Sequence, residues 1–241
     1  MELTIYGLVL IVFVGVFTIE VIAPASGNDC DKRWQIYAGG ISAFQMVVTL
    51  AAGWIFRDWF IANSLFHLPE KTPILLQALI AFFMVSFIAY WWHRATHASD
   101  FLWRVFHQLH HSPSRIESLT AFYVHPLDGL AANMLNAFVA YMIFGTSIKV
   151  AAIALLIAAI YNIYIHSDTR SPHWLGVIVQ RPEMHRVHHK SGAHKMNYGL
   201  PIWDILFGTF KNPTTCDFKC GFAADKEKEV RNMLLLRDVR G

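Results

Sequence analysis

Eight of the thirteen histidines fall into three short blocks: His93-x-x-x-His97, His107-x-x-His110-His111 and His185-x-x-His188-His189. On a helix, positions i, i+3 and i+4 share a face, so His93 and His97 aim together, as do the members of each later block. Each block therefore reads as a claw. Neutral imidazole is a good ligand for iron, copper, nickel and zinc, and ligands fixed on one face are arranged in advance for coordination. Eight such ligands are too many for one tetrahedral ion, and two metals are the natural reading. With 13 His in the chain, independent placement would give H-x-x-H-H only about 0.04 times, so two copies are a strong signal.

The elements that position these blocks are apolar helices. Of the 241 residues, 55% are hydrophobic and 15% charged, against about 25% charged in an ordinary soluble domain. No charged residue occurs from Ile36 to Phe56 or from Thr72 to Trp92, and Leu3 to Ala23 carries only Glu20. Each run is about the 20 residues that cross a hydrocarbon core. The first has no basic leader and a poor cleavage context, so it reads as a helix rather than a signal peptide. Between Asp128 and His166 the only charge is Lys149, behind Gly145-Thr146-Ser147, which predicts a hairpin of two shorter apolar helices. The expected fold is all-α, a multi-pass transmembrane bundle with a histidine-rich helical cap. Residues 1–92 supply three transmembrane helices, 93–127 the first two blocks, 128–165 a transmembrane or re-entrant hairpin, and 166–241 the rest of the cap.

Charge sets the expected orientation. Residues 1–92 hold 4 basic and 6 acidic side chains, while 166–241 hold 12 and 8, which places the cap on the cytoplasmic side by the positive-inside rule. The hairpin then enters and leaves from that side. The excess of cations suits anionic headgroups and, without a basic tract interleaved with aromatics, predicts no nucleic-acid partner. Three cysteines, Cys30, Cys216 and Cys220, are too few for a disulfide framework and read as free thiols.

The three blocks in this order, on such a chain, resemble the fatty acid hydroxylase/sterol desaturase superfamily. His125-Pro126-Leu127-Asp128-Gly129 is similar to sterol C-5 desaturases, and Asn197-Tyr198-Gly199 with Trp203-Asp204-Ile205-Leu206-Phe207-Gly208-Thr209 extends the likeness over roughly residues 75 to 210. The resemblance implies that the eight histidines hold a non-haem di-iron centre, a site where zinc can replace iron in a purified protein. There O2 attacks a lipid C–H bond to give an alcohol, or a double bond after a second hydrogen abstraction. His166, in Tyr164-Ile165-His166-Ser167, looks like the further histidine that the superfamily, alkylglycerol monooxygenase-like members included, places before the third block. His125 is read as a supporting or substrate-gate residue rather than a ligand, and Asp204 as the leading carboxylate behind the ligands. With no cytochrome b5-type domain in the chain, electrons are expected from a separate ferredoxin or cytochrome system with its reductase.

Asp168, Glu117 and Asp128 are further candidates to accept the second N–H of a ligating imidazole. Glu20 is expected to snorkel to the headgroups. Tyr90-Trp91-Trp92 and Trp103 match an interfacial aromatic belt or a substrate entrance. His67 reads as a loop residue on the opposite side, and His173 and His194 as surface or hydrogen-bonding residues. Cys216 and Cys220 make a weak zinc pair, and Asp225 to Gly241 one charged helix. A divalent metal-ion transporter and a catalytically inert zinc-binding protein are the competing functions, but a transporter should carry polar ligands inside its spans.

Overall fold

A computed structural model describes residues 2–27, 31–69, 71–215, 217 and 219–239, and the side chains of these except 2–6, 50, 52–54 and 224. Among them every regular element is helical; a single bridge pairs Lys190 with Cys220. Helices α1 (Glu2–Ile22), α2 (Lys32–Ala62), α3 (Ile74–Ala98), α5 (Pro126–Ala137) and α6 (Ile148–His166) form the long framework. Between α3 and α5 lies α4 (Asp100–Leu102), which runs into a π-turn at Trp103–His107. Another π-turn, Phe138–Ile143, prolongs α5. The short α7 (Pro182–His188), α8 (Pro201–Leu206), α9 (Ala224–Glu227) and α10 (Val230–Leu234) follow. Two of these last replace the single helix expected after Asp225.

The starts and stops follow from local chemistry. The Asp31 carboxylate accepts the Arg33 N–H at the start of α2, and Ser147 Oγ accepts the Val150 N–H at the start of α6. Pro126 occupies the first turn of α5, where its missing N–H costs nothing. Gly145, at φ +52, makes the turn of the expected hairpin.

Helices α3 and α6 are both long and apolar enough to cross a membrane; at 1.5 Å per residue they extend about 37 and 28 Å. They meet through Ala78, Ala81, Val150 and Ala154, small residues that let two backbones approach closely. Large apolar side chains such as Ile11, Val47, Ile55, Leu75 and Leu79 face outward.

Hydrogen bonds define the two ends of the framework. At one, the turn after α2 meets the hairpin turn, with Leu65 N–H on the Met142 carbonyl and Phe66 N–H on that of Ile143. His67 lies there too, bonded to Ser64. At the other end gather the close of α1, α3 and α6 and the histidines. Glu20 is buried there rather than snorkelling: its carboxylate accepts from Ser118 N and Oγ and from Asp168 N. Those partners lie far along the chain, so no local pattern announces them. The aromatic belt is also revised, since Tyr90 and Trp103 are buried and Trp91 is exposed.

Trp34, Ala38, Leu109, Leu119, Tyr123, Met233 and Val239 form an apolar cluster. Gly221, at φ +73, clamps the second and third blocks together. Its N–H donates to the His189 carbonyl and the Phe222 N–H to that of Ser112, while an added Cβ would lie 2.3 Å from the Pro113 oxygen. Gly221→Ala combines the left-handed penalty of ~1–2 kcal/mol with a backbone clash. It is expected to lower stability by at least about 2 kcal/mol, measured by thermal unfolding in lipid nanodiscs.

Candidate metal centre

All nine histidines expected as ligands come together, in two clusters: His93, His97, His107, His111 and His188 in one, and His110, His166, His185 and His189 in the other. Within each, the candidate ligand atoms all lie within 4.8 Å of one another. In the first, His188 Nε2 is 3.2 Å from His97 Nε2 and 3.1 Å from His111 Nε2, and His107 Nε2 is 3.1 Å from His111 Nε2. In the second, His166 Nε2 lies 2.8 Å from His185 Nε2 and 3.1 Å from His110 Nε2, and His189 Nε2 is 3.1 Å from His185 Nε2.

This division corrects the expectation that each block is one claw. His107 and His111 face the first cluster and His110 the second; His185 and His189 face the second and His188 the first. Successive helical residues diverge by roughly 100°. Adjacent histidines therefore cannot share an ion as i and i+4 can, and each H-x-x-H-H block serves both clusters.

Hydrogen bonds decide what these nitrogens present. The Nδ1 of His93 lies 2.6 Å from the Tyr198 carbonyl, that of His188 2.8 Å from Met196 O, and that of His166 2.8 Å from Asn162 O. A carbonyl only accepts, so each Nδ1 carries the proton and the Nε2 of the neutral ring offers a lone pair. His93 Nε2 is buried without a hydrogen-bond partner. Where His166 and His188 turn lone pairs toward neighbouring imidazoles, a cation between them resolves the contact. The donor set therefore fits two borderline metal ions.

The carbonyl behind His93 is held in place by Asp204. Its carboxylate accepts the N–H groups of Tyr198 and Gly199 and the Thr209 hydroxyl, at 2.8, 3.2 and 2.7 Å. Asp204 thus acts one bond further back than expected, and burial pushes it up to about 6. Asp128 Oδ2 stands 3.7 Å from His107 Nδ1. Asp168 and Glu117 bond elsewhere. Asp168 accepts from Ser26 and pairs with Arg115 and Arg186, and Glu117 pairs with Arg115. His125 is no ligand: its Nδ1 accepts the Leu127 N–H as the cap of α5 and its Nε2 donates to Leu234 O.

His194 donates through Nδ1 to the His188 carbonyl, and its ring lies 4.7 Å from that of His111. His173 is exposed. Cys220 is buried and its thiol pushed up to about 12; Cys216 and Cys30 lie outside the described residues.

Sequence reasoning missed several positioning residues. Asn197, at φ +56, ties the loop after α7 together: its amide donates to Met184 O and Lys211 O and its carbonyl accepts the Lys211 N–H. Arg181 bonds Ser171, Asn212 and Pro213 and pairs with Glu183. An Asn able to adopt φ > 0 was the available signal for the first; the second had none.

Burial and the neighbouring imidazoles hold His107, His110, His111, His185, His188 and His189 well below the ordinary histidine value. At neutral pH they are deprotonated and ready for metal. An unfolded chain takes up these protons near pH ~6.5, where the folded one does not. Stability of the metal-free protein is therefore complete above that pH and is lost progressively as pH falls below it. Thermal unfolding from pH 8 to 5 should show this decline, and bound metal should displace it to lower pH.

A family model described as fatty acid hydroxylase matches residues 78–209, more than half of the chain and the whole set of nine histidines. The chain belongs to the fatty acid hydroxylase family. It is 32% identical over 151 residues to an ornithine lipid hydroxylase of Rhizobium tropici, covering 60% of this chain and 45% of that one. Human alkylglycerol monooxygenase is 31% identical over 157 residues, 61% of this chain and 33% of the relative. A very-long-chain aldehyde decarbonylase of Oryza sativa subsp. indica is 27% identical over 147 residues, 58% and 57%. The chain spans about half the length of the curated relatives it matches. No solved structure matches it.

Proposed function

We propose that this fatty acid hydroxylase family member is a membrane-bound, O2-dependent oxidoreductase that hydroxylates or desaturates a lipid, with two iron ions held by the nine histidines. The observation that carries the reading is the convergence of nine imidazoles into two clusters, with His93, His166 and His188 held in the tautomer that leaves the Nε2 lone pair free. Two iron ions, reduced by an external ferredoxin or cytochrome b5-type system, would supply the oxidation of an unactivated C–H bond, which no side chain can perform.

The chain's own residues supply position and exclusion of water. The carbonyls of Tyr198, Met196 and Asn162 orient three rings and fix their tautomers. The whole second cluster is buried, whereas His93 and His97 are half-buried. The rings of Tyr198 and Trp103 pack against His97 and leave part of it exposed. A lipid tail can reach that part from the apolar helices without crossing water. By the charge balance this face is cytoplasmic.

Relatives named as a sphingolipid C4-hydroxylase, an alkylglycerol monooxygenase and a very-long-chain aldehyde decarbonylase each match more than half of the chain. The outcome therefore depends on which substrate carbon lies nearest the clusters. Lipid profiles of a host expressing the protein or its His188→Ala variant test the proposal, together with iron content and O2 uptake on adding reductant. A product present only with the unaltered protein is expected. A protein that retains zinc alone and consumes no O2 would overturn it.

A further inference from the structure

Outside the long helices, one face of the cap is apolar where a water-facing surface should be polar. On α8, Pro201, Trp203 and Asp204 turn inward while Ile202, Ile205 and Leu206 are 44%, 52% and 63% exposed. Beside it, the one-turn 3-10 helix His173–Val177 and the residue after it leave Trp174, Val177 and Ile178 59–66% exposed. These two segments touch each other. Neither puts a charged side chain on this surface; the one acid in them, Asp204, is buried.

The position of α8 along α3 says what covers it. Trp203 packs on Phe83 and Phe87 at ring distances of 4.7 and 4.9 Å and donates through Nε1 to Ser86 Oγ, and Phe207 packs on Trp91 at 4.8 Å. The uncharged run of α3 ends at Trp92. At 1.5 Å per residue, Phe87 and Phe83 lie about 8 and 13 Å below that boundary, at the depth of acyl chains rather than of water. The surrounding charges agree. Between residues 169 and 215 the exposed charged residues are cations, Arg170, Lys190, Lys195 and Lys211, and both acids, Glu183 and Asp204, are buried. Such a rim suits the headgroup zone.

We propose that the 3-10 helix His173–Val177 and α8 form a ledge immersed in the cap-side leaflet of the bilayer, so that acyl chains cover Trp174, Ile178, Ile205 and Leu206. The ledge rests on the reading of α3 as a membrane span. It would make the leaflet part of the wall beside the loop that carries Tyr198, and so place the histidine clusters at the lipid surface.

Spin labels test this in the full chain, with Cys30 and Cys216 changed to serine, in vesicles of phosphatidylcholine with a minority of phosphatidylglycerol. Labels are placed by Ile178→Cys and Leu206→Cys on the ledge, Leu79→Cys on the outward face of α3, and Lys195→Cys on the rim. O2 collisions are expected to exceed those with a water-soluble nickel chelate at Ile178, Leu206 and Leu79, and the ratio to reverse at Lys195. Nickel-dominated collisions at Ile178 and Leu206 with Leu79 still in lipid would overturn the ledge alone. The same result at Leu79 would overturn the span beneath it as well. Low access to both reagents with spin–spin broadening between chains would show a second copy on this face, which also overturns the ledge.

Discussion

Replacing His166 with alanine is expected to take one of two metals from the protein and to abolish lipid oxidation, while the other metal stays. His166 Nε2 stands 2.8 Å from His185 Nε2 and 3.1 Å from His110 Nε2, and its Nδ1 is anchored on the last turn of α6. Without it the second cluster keeps three imidazoles, and the first keeps all five. Altering only an outer partner of a ligand costs about 10–100-fold in metal affinity, so loss of the ligand itself should exceed about 100-fold. Metal analysis should fall from two ions per chain toward one, and titration with Co(II), read by its visible absorption, should lose one of two steps.

The same titration distinguishes two clusters from three claws. His110→Ala should remove the step that His166→Ala removes, and His107→Ala the other, although His107 and His110 belong to one block. If both variants of that block erase the same step, the division is wrong. His125→Ala serves as the control. Both its ring nitrogens are engaged in capping α5 and bonding Leu234, so it should retain two metals and lose about 1 kcal/mol of stability, the usual cost of an N-cap.

That the three histidine blocks converge was legible because imidazole spacing is local and rare, and the helical framework because its apolar runs are long. The break between the π-turn ending at Ile143 and α6 was legible too, marked by Gly145 and Ser147. The pairing of ligands into clusters depended on angles that the chain geometry contains: adjacent positions diverge, so His110 and His111 had to part. What stayed hidden were contacts between distant segments. Glu20 bonds Ser118 and Asp168 across 98 and 148 residues, and nothing around Glu20 distinguishes that fate from an exposed helix end. Asp204 was singled out as a carboxylate behind the ligands. Its action through the Tyr198 peptide could not be read, because it depends on how residues 197–209 fold back on themselves.

The second large effect is expected at Arg186, which touches neither cluster's ligand atoms but sits between His185 and His188. Its guanidinium pairs with Asp168, and both side chains are buried. Asp168 in turn holds Ser26 and Arg115 and donates its N–H to Glu20, so the end of α1, the loop after α6 and α7 share one ionic network. A helix of seven residues has little stability of its own, and this network, with Asn197 on Met184 and Arg181 on Glu183, fixes α7 and its histidines. Breaking a buried pair from one side costs ~3–5 kcal/mol. Since Arg115 still faces Asp168 at 3.2 Å, Arg186→Met should fall near the lower end, about 3 kcal/mol by thermal unfolding. In Arg186→Met the Arg115 guanidinium is shared between Asp168 and Glu117, so adding Asp168→Asn removes the under-compensated charge and should recover part of that loss. Metal content separates this role from ligation: high metal concentration should refill Arg186→Met, whose nine imidazoles are intact, whereas His188→Ala should stay depleted. An Arg186→Met protein that is fully stable, or that stays empty at high metal, would contradict the positioning role.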